Sequence, residues 1–211
     1  MSDLAAALKA HHAALLQCKR CASMIGPVVS GKPVHSPVFL IGQAPGVKEG
    51  EFGKPFAWTA GKTMFQWFSQ IGLDEAKFRD RVYMAAVCRC FPGKNPKGGD
   101  RVPKPDEIRE CSSWMATELR LLRPELILPV GKLAIAQLMP VSKLDQVVGE
   151  LLRVEVAGFQ SDVIPLPHPS GASTWHRMEP GKTLLQRALQ LIHEHPAWKA
   201  VRAGYASAAN R

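Results

Sequence analysis

Between Ser2 and Gln17 the apolar residues Leu4, Ala7, Leu8, Leu15 and Leu16 recur at helical spacing behind a Ser/Asp start, which predicts a first helix with one buried face. A turn-rich crossing follows, Ile25 to Pro37, holding Gly26, Pro27, Gly31, Pro33 and Pro37, with no periodicity. Val38-Phe39-Leu40-Ile41 is then an unbroken apolar run that stops at Gly42, the pattern of a strand buried on both faces. The same alternation continues: a helix over Gly61 to Ile71 through Met64, Phe65, Trp67 and Phe68, a strand over Val82 to Val87, and a helix over Pro105 to Leu122 with proline and acids in its first turn. Leu126 to Val130 reads as a strand and Gly131 to Leu138 as a short helix. Val154 to Phe159 and Val163 to Leu166 are strand-like, and Thr183 to His193 is an amphipathic helix. The alanine-rich tail, 199–211, is expected to fray.

Strands separated by helices require crossover connections, a mainly parallel sheet and helices on both faces. The expected fold is a three-layer α/β/α sandwich with a four-stranded, mainly parallel central sheet, formed by 1–211 as one domain. In such sheets ligands bind beyond the C-terminal ends of the strands. The loops after Ile41, Val87 and Leu166 should therefore meet in one cleft. They carry Gly42-Gln43-Ala44-Pro45-Gly46, the segment from Cys88 to Pro96, and His168-Pro169-Ser170-Gly171.

Composition narrows the class. At 211 residues and 46% hydrophobic, the chain can fill a core. Its 27 Lys+Arg exceed its 18 Asp+Glu by +9, which suits a polyanionic partner and excludes an acidic disordered chain. No apolar run nears the roughly 18 residues of a membrane span, and the N-terminus lacks a basic start before an apolar core. The expectation is a cytoplasmic protein without membrane contact, in whose reducing compartment the five cysteines serve as metal ligands or buried thiols.

Three constellations carry chemistry. Cys18 and Cys21 are separated by two residues, and Cys88, Cys90 and Cys111 follow. A two-residue gap lets two thiolates share one metal centre that distant cysteines complete. Zinc and an iron–sulfur cluster fit these ligand types equally, and the alternative is small core residues. In the second, glycines and prolines from Gly42 to Gly46, with Gly53-Lys54-Pro55-Phe56 and Gly61, let backbone approach a ligand. Gly61-Lys62-Thr63 is not a phosphate loop, because position 56 holds Phe and no strand directly precedes it. In the third, His168 stands between Pro167 and Pro169 at a strand end, fixed where it can donate to charge on a leaving group. His11, His12, His193 and His195 are expected on solvated helical faces.

In this order the segments resemble the uracil-DNA glycosylase superfamily from about Cys18 to Leu191, and within it the four-cysteine families 4 and 5. The resemblance implies a structural [4Fe–4S] cluster on Cys18, Cys21, Cys90 and Cys111, with zinc as the alternative and Cys88 the spare thiol. It implies hydrolysis of the N-glycosidic bond of uracil, or of another deaminated base such as xanthine or hypoxanthine, in DNA, leaving an abasic site for base excision repair. Gly42, Gln43, Ala44, Pro45, Phe56, Ala86 and His168 would form the base pocket, with Phe56 stacking on the base, His168 stabilising its oxygen and Gln43 on the water side. Ser170, Gly171, Ala172 and Ser173, running on to Trp175, with Arg177, would contact DNA. Lys19, Arg20, Lys54, Arg89, Lys94 and Lys97 are further phosphate-contact candidates.

The sequence departs from the family pattern at the acids. Family 4 has Glu where Gln43 stands, family 1 has Asp at Ala44, and family 5 has Asp at Thr59. The base-reading Asn of families 1 and 4 matches Ala86. Glu49 and Glu51 are the carboxylates expected nearby, and Glu49 joins His168 and Gln43 as a catalytic candidate. The missing acid supports an alternative, a non-catalytic binder of uracil-containing or abasic DNA. Oligomeric state is not legible.

Overall fold

The computed structural model of the chain describes residues 3–96 and 98–204. Helix α1 (Asp3–Leu16) leads through the turn-rich crossing into β1 (Val38–Gly42). Helices α2 (Val47–Phe52), α3 (Thr59–Gln70) and α4 (Glu75–Arg81) precede β2 (Tyr83–Ala86), and α5 (Pro105–Leu122) precedes β3 (Leu126–Pro129). The short α6 (Lys132–Ile135) leads to β4 (Leu152–Val156) and β5 (Phe159–Val163), and α7 (Gly181–Glu194) and α8 (Pro196–Arg202) follow. No helix among the described residues is long and apolar enough to cross a membrane.

The strands form one five-stranded sheet in the order β2-β1-β3-β5-β4. Phe39 to Gly42 pair with Tyr83 to Ala86, Val38 to Ile41 pair with Leu126 to Pro129, and β3 pairs with β5, all parallel. Only β4 against β5 is antiparallel. Successive residues of β1 face opposite layers. Val38 and Leu40 pack with Met64, Phe68, Phe78, Leu189 and Trp198 under α3, α4, α7 and α8. Phe39 and Ile41 pack with Leu8, Met115, Leu119 and Ala134 under α1, α5 and α6. The expected three-layer α/β/α sandwich is therefore observed.

The sheet has five strands where four were expected, and the last two fall on other residues than the runs read from the sequence: of Val163 to Leu166 only Val163 lies within a strand. Ala157 (φ 50) and Gly158 (φ 84) both adopt left-handed backbone and join β4 to β5 as a two-residue hairpin, so one expected strand, Val154 to Phe159, runs through what is a turn. Gly is the usual residue for such a site and Ala is not, which disguised it. Three helices also lacked a sequence signature. Helix α2 buries none of its residues and α4 buries only Phe78, so neither shows apolar periodicity. Helix α8 begins at Pro196 and buries Ala197, Trp198 and Val201. It takes in residues 199–202 of the expected frayed tail, of which 205–211 lie outside the described residues. All four histidines expected in solvent are engaged: His12 Nε2 meets the Gly31 carbonyl at 2.9 Å, His195 Nε2 meets Asp162 at 3.1 Å, His193 Nδ1 meets Arg202 at 3.3 Å, and His11 lies 3.5 Å from Glu118.

Candidate functional site

Strand β1 sits where the chain turns in opposite directions to β2 and to β3, so its C-terminal end opens between two diverging connections. A cavity of about 480 Å³ lies there. Gly42 to Gly46 from β1, Ala85 and Ala86 from β2, and His168 and Ser170 from the loop beyond β5 all line it, with Glu49, Pro55 and Phe56. The three loops meet as expected.

Phe56 is held in the cavity by unusual backbone. Its φ is 51, a left-handed conformation that costs a non-glycine residue energy and persists only when its surroundings impose it. Arg79 of α4 donates to the Pro55 carbonyl at 2.8 Å and to the Phe56 carbonyl at 3.0 Å. Gly61 lies so close beneath that a Cβ there would come within 1.8 Å of the Phe56 oxygen. Gly42 plays the same part for the ring, since its Cβ would meet Phe56 Cε2 at 3.0 Å. Gly61, already singled out with the glycine-rich loop, and Arg79, which no motif marks, are thus positioning residues.

His168 is positioned with equal care. Burial, and then the neighbouring His176 ring, hold its pKa below the ordinary histidine value, so the imidazole is neutral near pH 7. The Ser170 amide donates to Nδ1 at 3.3 Å. An accepting Nδ1 in a neutral ring leaves the proton on Nε2, which makes Nε2–H a donor. Gly131, at φ 86, packs against the ring: a Cβ there would lie 3.1 Å from His168 Cδ2.

The carboxylates correct the sequence reading. Glu49 lines the cavity, yet its Oε2 accepts from the Gly46 amide at 3.0 Å as the N-terminal cap of α2. Glu51 pairs with Lys48 at 2.7 Å and does not line the cavity. Asp100 does, although it lies far along the chain in the loop after Cys90. A Cβ on Gly46 would meet Asp100 Oδ2 and Glu49 Oε2 at 2.9 Å each, so the two acids flank that glycine. Lys94 donates to the other oxygen of Asp100 at 2.7 Å.

A second cavity, of about 340 Å³, is lined by Cys18, Cys21, Cys90 and Cys111 with Arg20 and Trp114. Burial, and then the Cys111, Cys21 and Cys18 thiols, push Cys90 up to about 11, which is the signature of four sulfurs within electrostatic reach. Trp114 Nε1 donates to Cys18 Sγ at 3.3 Å, and Arg20 stacks over the Trp114 ring. Cys88 does not line this cavity; it is fully buried in the core on the α1 and α5 side. Behind the cysteines, Arg89 is buried and donates to the Ala86 carbonyl at 2.9 Å and to Glu118, which also accepts from Tyr83 at 2.8 Å.

Among the expected phosphate contacts, Arg89 is therefore removed by burial, Lys19 and Arg20 belong to the cysteine cavity, Lys94 lines the larger cavity, and Lys97 lies outside the described residues. Gly171 and Ala172 form the exposed tip of a turn closed by the Ser173 amide on the Ser170 carbonyl at 3.0 Å, and Arg177 is exposed nearby.

Fold and cavities together define an α/β/α protein with a preformed ligand pocket at the sheet's switch point and a separate cavity walled by four thiols. The chain belongs to the uracil DNA glycosylase superfamily, whose family model matches residues 29–193. It is 30% identical over 138 residues to a type-4 uracil-DNA glycosylase of Archaeoglobus fulgidus, covering 63% of this chain and 65% of that protein. Against the type-4 enzyme of Saccharolobus solfataricus it is 30% identical over 141 residues, 64% of this chain and 61% of the other. A type-5 uracil-DNA glycosylase of Pyrobaculum aerophilum matches at 29% over 119 residues, 51% of this chain and 50% of the relative. The matched region spans just under two thirds of the length of the Archaeoglobus and Saccharolobus enzymes.

Proposed function

We propose that the protein is a uracil-DNA glycosylase that hydrolyses the bond between deoxyribose C1′ and the base and leaves an abasic site. The observation that carries this reading is His168, a neutral imidazole whose accepting Nδ1 leaves Nε2–H as a donor in a cavity shared with Phe56. As C1′–N1 breaks, the electron pair leaves with the base and spreads onto its carbonyl oxygens. A neutral, fixed N–H donor stabilises that anion without delivering a full proton. Phe56 would stack on the flipped base, and its locked backbone keeps the ring in place before the base arrives.

The sugar becomes cationic as the base departs, and water adds to C1′ and passes its proton to the surrounding solvent. Gln43 cannot take that proton at neutral pH, but its amide can orient the water. Glu49 is committed to the Gly46 amide and Asp100 to Lys94, so each acts here as a fixed negative charge beside the developing cation. Ala86 offers only a methyl group where an amide would read the base edge, so discrimination among uracil, xanthine and hypoxanthine rests on shape and on His168.

The cysteine cavity supports a structural [4Fe–4S] cluster. Four cysteine thiols on one cavity, two of them separated by two residues, form a ligand set that suits an iron–sulfur cluster and equally a tetrahedral zinc. Cys18, Cys21, Cys90 and Cys111 would hold the group, which when bound ties the end of α1, the loop after β2 and α5 into one unit.

A second reading, a binder of uracil-containing or abasic DNA that does not cut, is favoured by one observation: positions 43 and 44 carry no acid and Glu49 already serves as a helix cap. Incubation with an end-labelled oligonucleotide carrying one uracil separates the two. Release of free uracil with an alkali-labile abasic site is the expected result. Tight binding without base release assigns the protein to the second reading.

A further inference from the structure

On the rim of the pocket Phe52 and Trp58 form a stacked pair, with ring centroids 6.2 Å apart and ring planes 22° from parallel. Phe52 is 50% exposed and Trp58 45% exposed. One large apolar residue in solvent is unremarkable, but two aromatic rings stacked in the open form a patch that needs a reason. The pair closes off a short piece of chain. Phe52 ends α2 and Trp58 caps α3, and between them stand Pro55 and Phe56 of the pocket wall. The platform is therefore tied rigidly to the ring proposed to hold the flipped base. Two lysines accompany it: Lys48 Nζ lies 5.8 Å and Lys62 Nζ 6.0 Å from the Trp58 ring centroid. Lys48 and Trp58 also line the pocket itself.

We infer that Phe52 and Trp58 form a second base-binding site, which stacks the nucleobase immediately next to the flipped uracil in the same strand. The inference rests on the DNA reading above and deepens it. Flat aromatic surface attracts any base through its π-face, and the Lys62 ammonium, joined by Lys48 when it exchanges Glu51 for a phosphate, matches the phosphates on either side of that base, whereas an apolar protein partner would gain nothing from them. A lysine now over the indole would move to the phosphate as the base takes its place. The site selects a strand state. A base inside a duplex is already stacked on both neighbours and cannot offer a face, so the platform favours single-stranded or locally unpaired DNA.

The test uses three single-stranded oligonucleotides with one uracil: one intact, one with the 5′ neighbour replaced by an abasic analogue, and one with the 3′ neighbour so replaced. For the wild-type protein, kcat/KM for uracil release should fall on the order of 10-fold or more with one of the two abasic neighbours, the usual worth of one base stacked on an aromatic side chain. In the Phe52→Ala/Trp58→Ala double variant that penalty should vanish, leaving intact and abasic-neighbour substrates equal, while the melting temperature stays within a few degrees of wild type because both rings are exposed. A penalty that persists in full in the double variant, or a wild type indifferent to both neighbours, overturns the platform while leaving the glycosylase reading intact. If wild type neither releases uracil nor binds the intact oligonucleotide, the glycosylase reading fails and the platform fails with it.

Discussion

Around the larger cavity the chain supplies its own rigidity. Gly42, Gly61 and Gly131 leave room for the Phe56 ring, the Phe56 carbonyl and the His168 ring, and Arg79 clamps the strained Phe56 backbone. Its polar groups have local partners: Glu49 with Gly46, Asp100 with Lys94, His168 with the Ser170 amide. Around the cysteine cavity the walls come from three separate segments, and burial with the neighbouring thiols raises the proton affinity of Cys21 and Cys90. The first cavity is complete as a shape, while the second, on the cluster reading proposed above, would become favourable only with a positive metal group in place. On that reading one chain would divide the work: backbone geometry fixes the groups of the larger cavity, and a bound group would hold together the frame that carries them.

That contrast breaks most visibly at Cys111. Cys111→Ala should abolish the brown colour and the iron content of purified protein and lower Tm by about 10 °C or more, given roughly 2–4 °C per kcal/mol in a chain of this size. Cys88→Ala should keep iron and colour, since Cys88 lies in the core and not on the cavity wall. Loss of iron in the Cys88 variant with retention in Cys90→Ala would reverse the ligand assignment.

His168→Ala attacks the other side of the comparison. Its single-turnover rate should fall on the order of 10²-fold, as when one preorganised donor is removed, with colour and Tm unchanged. Gly131→Ala should lose about 10-fold: the added Cβ would crowd the His168 ring at 3.1 Å and a residue at φ 86 would be strained. An unchanged rate in His168→Ala would end the leaving-group mechanism.

A smaller effect separates the two regions by pH. Arg101, with help from Ser23 and the Lys104 amide and against the cost of burial, holds Glu107 at about 2. Glu107 thereby ties the loop after Cys21 to the start of α5. A depressed carboxyl pKa contributes stability that is fully present above the ordinary value and is lost as pH falls through about 4.5 toward 2. Glu107→Gln should flatten the fall of Tm across that window and leave the uracil-release rate at neutral pH within about two-fold, because Glu107 is absent from the larger cavity.

These contrasts also mark where sequence reading stops. Elements with strong patterns were legible: Pro105 to Leu122 matches α5 residue for residue, and the apolar runs at Val38 and Leu126 are central strands. So was the convergence of the three loops, because parallel topology alone dictates it. What stayed hidden depends on contacts between distant segments. Asp100 and Gln43 line one cavity across more than fifty positions of chain, and nothing in the spacing of Lys94 to Asp100 indicates that the loop folds back. Arg89 reads as one more surface cation, and only the opposing Glu118 and Tyr83 explain its burial. Gly131 looks like an ordinary helix start until His168 is found against it.

The smallest expected effect concerns the acid missing from position 43. If Asp100 and Glu49 already place negative charge beside the developing sugar cation, Gln43→Glu adds a third carboxylate to a wall whose lysines already face acids, Lys94 on Asp100 and Lys48 on Glu51, and the gain should be modest, several-fold and below about 10-fold in single-turnover rate. Asp100→Asn should show the complementary loss of several-fold, because it removes a charge and keeps the shape, and Lys94 would lose its partner. The two changes compensate if they act on the same cation: in the Gln43→Glu/Asp100→Asn double variant the rate should return close to wild type. Compensation of this kind is the quantity to measure, since a structural disturbance at either site would lower the rate without being restored by the other. A Gln43→Glu gain of 10²-fold or more would mean instead that the wild-type cavity supplies almost no charge to the sugar, and Asp100 would then be only the anchor of its loop.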